Sequence, residues 1–240
     1  MKKLLVYGAN SAIAESLCRK LASDFDTIEL IGRSSEKLEI LKNDLSVRSG
    51  KKILTKVVAA DALGESENIF SEPASMLVIA HGTLLDEELA RTNPKYLEEQ
   101  MQINLISYLQ LCNQYADYSI KNNKPIHIVA FGSVAGDRSR QSNYLYGTAK
   151  NAIEFFLEGL RHKLQGTSST VLCIKPGFVD TPMTSKIKKG PLFASPDKVA
   201  NDIYKAIQKK KDTIYTPWFW YWIMFIIRSV PSFIFRKTKL

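Results

Sequence analysis

The chain has 240 residues and a mass of 27.1 kDa, which is long enough for one domain with a buried core. Its 45% hydrophobic and 24% charged residues exclude an intrinsically disordered chain. The 3 cysteines form no Cys-x-x-Cys pair, which excludes a disulfide framework and a zinc cluster and favours a reducing cytoplasm. The net charge of +9 indicates an acidic partner, such as a phosphorylated substrate, a membrane surface or nucleic acid.

Short β-branched segments alternate with longer helical patterns, which is typical of βαβ units and a parallel sheet. The predicted strands span residues 4–7, 27–31, 53–59, 76–80, 126–131, 170–174 and 213–215. The predicted helices span residues 12–22, 35–45, 94–120, 143–163 and 196–207. Ser34 or Ser35 can cap the second helix, and Asn93 the third. The sequence predicts an α/β fold of the doubly wound Rossmann type, with seven parallel strands and helices on both faces.

No repeat or linker marks a boundary before the last two dozen residues. Residues 1–216 are therefore predicted to form a single Rossmann-type domain, followed by an aromatic and basic tail at residues 217–240. In the domain, the first strand leads into a glycine-containing turn and a helix, where such a fold binds a pyrophosphate on helix amides. A plain strand–helix turn of an unrelated α/β protein is the alternative. The predicted cofactor contacts of this loop are Gly8, Asn10, Ser11, Ala12 and Ile13.

The second strand ends in Gly32-Arg33-Ser34, without the Asp or Glu that binds the ribose hydroxyls in NAD-dependent proteins. The planar guanidinium of Arg33 can meet a 2′-phosphate instead, which favours NADP(H) over NAD(H). A solvated surface arginine is the alternative.

Tyr146 and Lys150 are four residues apart on a predicted helix and therefore share a face. Reduction of a ketone needs a proton donor as hydride arrives, and the ordinary pKa of a phenol is too high for neutral pH. An ammonium about 5 Å away can supply most of the required lowering. Because a Tyr-x-x-x-Lys pair occurs by chance, its weight comes from context: Ser133 ends the preceding strand, and Asn104 lies in the long helix before it.

This arrangement resembles the short-chain dehydrogenase/reductase family over roughly residues 3–216. The resemblance implies that Tyr146 is the general acid or base and that Ser133 hydrogen-bonds the substrate oxygen. It also implies that Lys150 holds the nicotinamide ribose and that Asn104 fixes a water in a proton relay. On their residues alone, Ser133 also suits a loop cap and Asn104 a buried helix position.

The family's phosphate loop has three glycines, whereas only Gly8 is kept here and Ala12 and Ala14 stand at the other two places. The family's Asn-Asn-Ala-Gly is replaced by Ile79-Ala80-His81-Gly82, which puts His81 near the cofactor, bonded to a ribose or to the backbone. By resemblance, Asp61 contacts the adenine, Val179 the carboxamide and Thr181 a phosphate. The further cofactor contacts that the resemblance implies are Ala80, Gly82, Pro176 and Gly177.

Residues 184–192 resemble the family's mobile substrate lid and carry Lys186, Lys188 and Lys189, which either meet the substrate or are simply solvated. In the tail, residues 217–228 hold all 3 tryptophans in an apolar run shorter than the roughly 20 residues of a spanning helix. Aromatic residues followed by lysines predict contact with the inner face of a membrane. Packing over the substrate pocket or in a subunit interface is the alternative.

We predict an NADPH-dependent reductase of a ketone or keto sugar, cytoplasmic and homo-oligomeric, with no metal. The tail, the alanine-containing loop and Ser133-Val134-Ala135-Gly136 resemble one branch of the family, which reduces decaprenylphosphoryl 2-keto pentose, a lipid-linked 2-keto sugar. A reductase of a soluble ketone is one alternative. A non-catalytic NADP-binding module is another, although it could lose the Tyr/Lys pair. Nucleic acid is not predicted as a partner, because the aromatic residues cluster in a lipid-like tail.

Overall fold

A computed structural model describes residues 1–59, 62 and 74–238 of the chain. Within these residues, seven strands form one sheet in the order β3-β2-β1-β4-β5-β6-β7, and every neighbouring pair is parallel. The strands are β1 (Lys3–Tyr7), β2 (Thr27–Gly32), β3 (Lys52–Val57), β4 (Met76–Ile79), β5 (His127–Phe131), β6 (Thr170–Pro176) and β7 (Thr213–Thr216). The predicted Rossmann-type sheet is confirmed, with strand ends displaced by one or two residues.

The helices of the described residues are α1 (Ala12–Leu21), α2 (Ser35–Ser49), α3 (Glu87–Thr92), α4 (Pro94–Met101), α5 (Ser107–Asn122), α6 (Tyr144–Lys163), α7 (Pro196–Gln208), α8 (Trp220–Ser229) and α9 (Ser232–Phe235). Side-chain caps set the starts of four of these helices, and two of them are caps that the sequence predicts. Ser34 accepts a hydrogen bond from the Lys37 amide before α2, and Asn93 accepts one from the Tyr96 amide before α4.

The core has two halves because alternate strand residues point to opposite faces of the sheet. Leu4 and Val6 belong to one apolar cluster, together with residues of α1, α2 and α7. Leu5 and Tyr7 belong to the other cluster, with residues of α5 and α6. Helices therefore cover both faces, as predicted.

The helix predicted at 94–120 is present, but it is interrupted by one turn of a different kind. A π-helical turn, Gln102–Ile106, separates α4 from α5 and contains the fully buried Asn104. Such turns widen the helix by one residue and often occur at functional sites. The short helix α3 was not predicted either, because 6 residues carry too little periodicity.

The C-terminal segment folds back onto the domain instead of extending away from it. Trp220 and Met224 of α8 are buried against Val134, which lies just after β5. Among the residues described, no helix combines the length and the apolarity that a membrane crossing requires.

Candidate active site

The site residues converge where the central strands end, because the carboxyl ends of parallel strands meet at one edge of the sheet. Ser133 follows β5, Tyr146 lies in the first turn of α6 and Asn104 lies in the π-helical turn. Gly82, after β4, joins them: a Cβ atom there would lie 3.0 Å from Oδ1 of Asn104 and 3.7 Å from Nζ of Lys150. The four predicted catalytic residues are thus brought to one region.

Lys150 is only 4% exposed. Its Nζ donates a hydrogen bond to the Phe131 carbonyl oxygen at 3.0 Å and lies 5.8 Å from the centre of the Tyr146 ring. Burial lowers the pKa of Lys150 to about 8, because the charged form loses its hydration. The side chain is therefore mainly protonated at neutral pH, although by a small margin.

Burial raises the pKa of Tyr146 to about 12, and a hydrogen bond with Ser133 acts in the lowering direction. The expectation that Lys150 lowers this pKa is wrong for the protein without cofactor. The loss of hydration of the phenolate outweighs a cation at this distance. Tyr146 is consequently a protonated phenol at neutral pH, which is the form that can donate a proton.

Ser133 and Asn104 are both tied into the local fold. The Ser133 hydroxyl accepts a hydrogen bond from the Ala135 amide at 3.1 Å, so the loop-cap interpretation holds beside its contact with Tyr146. Oδ1 of Asn104 accepts from the Thr83 amide at 3.0 Å, and its Nδ2 donates to the Gln100 carbonyl at 3.0 Å. These bonds fix the orientation of the Asn104 amide in the site.

The sequence-based interpretations bonded His81 to a ribose or to the backbone; the structure adds a side-chain partner and a backbone contact with Ile103, and the ribose contact stays a prediction. Nε2 of His81 pairs with the Ser107 hydroxyl at 2.8 Å, and its ring lies 4.7 Å from that of Tyr108. Burial, aided by the positive charge of Lys150, lowers the pKa of His81 to about 3. His81 is therefore neutral, and the hydroxyl of Tyr108 donates to its carbonyl oxygen.

Glu87 is a residue that the sequence analysis missed. Its two carboxylate oxygens accept hydrogen bonds from the Leu145 and Tyr146 amides, both at 3.1 Å. Asn143, the residue before α6, makes no side-chain cap, so a carboxylate 59 residues away in the sequence serves the helix start. An acid in a short helix gives no sequence signal for such a long-range contact.

At the cofactor end, Gly8 has φ +79, and a Cβ atom there would overlap the His81 backbone. Ala12 and Ile13 open α1, and Ser11 makes no side-chain cap, so the first amides of the helix remain available to an anion. The side chain of Asn10 differs from a simple cofactor contact, because its Oδ1 accepts from the Ser34 amide at 3.1 Å. It thereby links the loops that follow β1 and β2.

Arg33 is exposed and has no ion pair with any described residue, which leaves its charge available to a ligand. Ala80 donates its amide to the Tyr7 carbonyl at 2.8 Å, which places it at the carboxyl end of β1. The predicted contact Asp61 lies outside the described residues.

The predicted nicotinamide segment lies after β6. Pro176 ends that strand, and the Gly177 amide donates to the Thr216 carbonyl at 3.1 Å. Val179 is buried and bridges to Ala194. Thr181 caps a short 3₁₀ turn, so its side chain is partly engaged by the fold. These residues lie together at the carboxyl edge of the sheet, beside Ser133.

The residues present fit a dinucleotide with an extra phosphate. The Nδ2 atom of Asn10 is buried and lacks a hydrogen-bond partner among the described residues, so the loop after β1 retains an unused donor. The unpaired cation of Arg33 lies just after β2, where the ribose of a dinucleotide binds in this fold. Across the cleft, a protonated phenol, a hydroxyl and a lysine provide proton transfer and hydrogen bonding.

A model of the short chain dehydrogenase family matches residues 2–191. An uncharacterized oxidoreductase of Mycobacterium tuberculosis is 28% identical, over 98% of this chain and 96% of its own length. A second uncharacterized oxidoreductase, from Staphylococcus epidermidis, is 29% identical over 76% of this chain and 80% of its own length. A short-chain dehydrogenase from Sphingobium yanoikuyae, solved in complex with NADPH, superposes with a TM-score of 0.79 at 16% identity, covering 97% of both chains. A ketone-specific alcohol dehydrogenase from Comamonas testosteroni superposes with a TM-score of 0.77 at 15% identity, covering 97% of this chain and 96% of its own.

Proposed function

The chain belongs to the short-chain dehydrogenase family and is an oxidoreductase, and on that basis we propose that it uses NADPH to reduce a ketone or a keto sugar. The proposal rests chiefly on one observation: the protonated Tyr146 lies with Ser133 and the buried Lys150 at the carboxyl edge of the sheet. The NADPH bound by the Sphingobium yanoikuyae relative supports the choice of cofactor.

In the proposed reaction, Tyr146 holds a proton at Oη and donates it to the ketone oxygen as that oxygen gains negative charge. The Ser133 hydroxyl donates a hydrogen bond to the same oxygen and orients the carbonyl. NADPH, when bound, supplies the hydride to the carbonyl carbon. The product is an alcohol, and the proton lost by Tyr146 is replaced through a water that Asn104 holds. Lys150 holds the nicotinamide ribose and stabilises the transient phenolate.

The cofactor would lie along the carboxyl edge of the sheet. The loop after β1 and the first amides of α1 hold the pyrophosphate, and Arg33 holds the 2′-phosphate. Ala80 and Gly82 line the middle of the cleft. The segment after β6 holds the nicotinamide end through Pro176, Gly177, Val179 and Thr181.

The test is a survey of ketones and keto sugars by NADPH consumption, with a Tyr146→Phe variant. Phe keeps the ring but lacks the proton, so we expect kcat to fall by at least about 100-fold while the Kd for NADPH stays the same. Tyr144→Phe is the matched control, because Tyr144 lies in the same helix turn on a different face. Substantial turnover by Tyr146→Phe removes Tyr146 from the role of proton donor.

For the cofactor choice, we predict that Arg33→Ala weakens NADPH binding by at least about tenfold, since it removes a charged contact to the 2′-phosphate. NADH binding should change little. Isothermal titration with both cofactors measures the two effects. Equal losses for NADPH and NADH contradict the assignment of Arg33.

A finer proposal is that the substrate is a polyprenyl-phosphate-linked 2-keto sugar. Arg140 supports an anionic substrate: it lies on the segment joining Ser133 to Tyr146, and its buried Nε has no hydrogen-bond partner among the described residues. Burial lowers the pKa of Arg140, because no neighbouring acid offsets the loss of hydration. Lys186 and Lys188 of the lid add positive charge. Comparison of kcat/KM for a phosphorylated keto sugar and its dephosphorylated form tests this point.

We also propose that residues 1–216 carry the catalytic activity and that the protein acts in the cytoplasm as a homo-oligomer. The cysteines Cys18, Cys112 and Cys173 are buried and unpaired, which suits a reducing compartment. Phe155 of α6 is 80% exposed and offers apolar surface for self-association. Sedimentation velocity measures the oligomeric state.

A further inference from the structure

The helices α8 and α9, with the residues just before them, expose an apolar surface that the reductase reaction does not use. We define this tail surface by its exposed side chains, which are Trp218, Tyr221, Trp222, Phe225, Ile226, Phe233 and Ile234. Trp218 is 68% exposed and Ile226 is 64% exposed. Contiguous apolar patches of this kind on a soluble domain mark interaction sites.

The tail surface is held outward by contacts on its other side. Trp220 and Met224 are buried against Val134, so the opposite face of α8 cannot turn inward. Arg138 fixes the end of the helix: its Nη1 donates to the carbonyls of Ile227, Arg228 and Val230, at 3.2, 2.8 and 2.7 Å. The same guanidinium lies 4.1 Å from the ring centre of Phe235, which secures α9.

The positive charge of the C-terminal segment favours an anionic partner. Residues 213–240 contain no Asp or Glu, whereas Arg228, Arg236 and Lys237 flank the tail surface. In a two-fold contact with a second copy, this patch would meet itself and bring like charges together. A layer of anionic headgroups instead pairs with the cations, while the aromatic rings enter the interface between headgroups and acyl chains.

We propose that the tail surface docks on an anionic membrane, with α8 and α9 lying in the plane of the interface. The helix α8 has 10 residues, which suits an interfacial helix and is far shorter than a spanning one. The buried face of α8 touches Val134, next to Ser133, so docking would bring the segment that carries Ser133 close to the lipid surface. The proposal goes beyond the reductase function and does not depend on it.

Vesicle flotation with the full chain tests the docking. We expect the protein to float with phosphatidylcholine vesicles that contain phosphatidylglycerol and not with pure phosphatidylcholine vesicles. Raised salt should weaken binding without abolishing it, because salt screens the charges but not the apolar contact. Failure to float with the anionic vesicles overturns the proposal, whatever the enzymatic activity.

Two double variants separate the contribution of the aromatic rings to vesicle binding from that of the positive charges. Trp222→Ser with Phe225→Ser removes exposed rings, and Arg236→Glu with Lys237→Glu reverses two charges. Each should reduce binding by more than about tenfold. Circular dichroism and the turnover of a soluble ketone confirm that the variants are folded.

The matched controls make the same chemical changes elsewhere. Ile40→Ser with Val47→Ser alters two exposed apolar residues of α2, which is not part of the tail surface. Lys121→Glu with Lys124→Glu reverses two exposed charges at the C-terminal end of α5. Both controls should bind vesicles like the original protein. Equal losses in the controls and the tail variants contradict the proposal, as does a tail variant that changes only the oligomeric state in sedimentation velocity.

Discussion

Lys150 is a cation held almost entirely out of water, and its burial costs folding free energy. With its pKa lowered from 10.5 to about 8, the side chain destabilises the folded protein by ~3 kcal/mol below that pH. The hydrogen bond to the Phe131 carbonyl offsets part of the cost. Retention of a destabilising group is consistent with the proposed role of Lys150 beside Tyr146.

We therefore predict that Lys150→Met removes activity and raises the free energy of unfolding by ~1–3 kcal/mol at pH 7. The penalty is fully present below about pH 8 and declines as pH rises towards the unfolded value of 10.5, so the gain must shrink over that range. Thermal unfolding across pH measures this. Lys121→Met, an exposed control, should show no such gain. A Lys150→Met variant less stable than the original at pH 7 contradicts the argument.

At this scale the sequence predicts which residues form the site, but not their protonation. Tyr146, Lys150, Ser133 and Asn104 converge as the sequence indicates, because helix spacing and strand order fix their positions. The pKa of Tyr146 depends on how completely the surrounding chain excludes water. That quantity comes from packing over the whole fold, so a four-residue spacing cannot reveal it.

At the scale of elements, the N-terminus of α6 shows how one helix depends on another. Glu87 of α3 accepts the amides of Leu145 and Tyr146, so α3 sets the position of the catalytic turn. The carboxylate also complements the positive end of the helix dipole. Glu87 is thus a positioning residue, which acts through Tyr146.

We predict that Glu87→Ala lowers stability by ~1–2 kcal/mol, as the loss of a helix cap does. It should also reduce kcat more than it changes the Kd for NADPH, because the phenol is displaced while the cofactor loops remain. Glu87→Gln, which keeps one acceptor, should recover part of kcat. Glu88→Ala is the control, since Glu88 is exposed and pairs only with Arg91 among the described residues. An unchanged kcat in Glu87→Ala rules out the positioning role.

The interruption between α4 and α5 is the main element that periodicity missed. The apolar pattern of residues 94–120 does not distinguish a regular helix from one with a π-helical turn. The turn is stabilised by long-range bonds, such as that from the Thr83 amide to Asn104. Those bonds connect elements that are distant in the sequence, so the local sequence pattern cannot predict their effect on the helix.

At the scale of the whole molecule, the tail is fastened to the catalytic end of the domain. The strand order and the two-faced core follow from the alternating sequence pattern, and were predictable for that reason. The position of the tail was not, because its pattern suits a membrane surface and a packed pocket equally. In the fold α8 buries Trp220 on one face and exposes Trp222 on another.

We predict that Arg138→Ala loosens this attachment, because three carbonyls of the tail lose their shared donor. Trypsin should then cleave after Arg228 several times faster, and stability should fall by ~1–2 kcal/mol. Mass spectrometry of the digestion products over time measures the cleavage. Arg48→Ala, which removes a surface ion pair with Asp44, is the control. Equal cleavage rates in Arg138→Ala and the original protein would falsify the attachment role.

The packing of Trp220 onto Val134 also has a consequence for synthesis of the chain. The two residues are 86 positions apart (220 − 134), so at a ribosomal rate of 5–20 residues per second Val134 waits about 4 to 17 s for its partner. During that interval Val134 lacks its packing partners from α8 on the nascent chain. We therefore expect the nascent chain to be open to chaperone binding until the tail has been made.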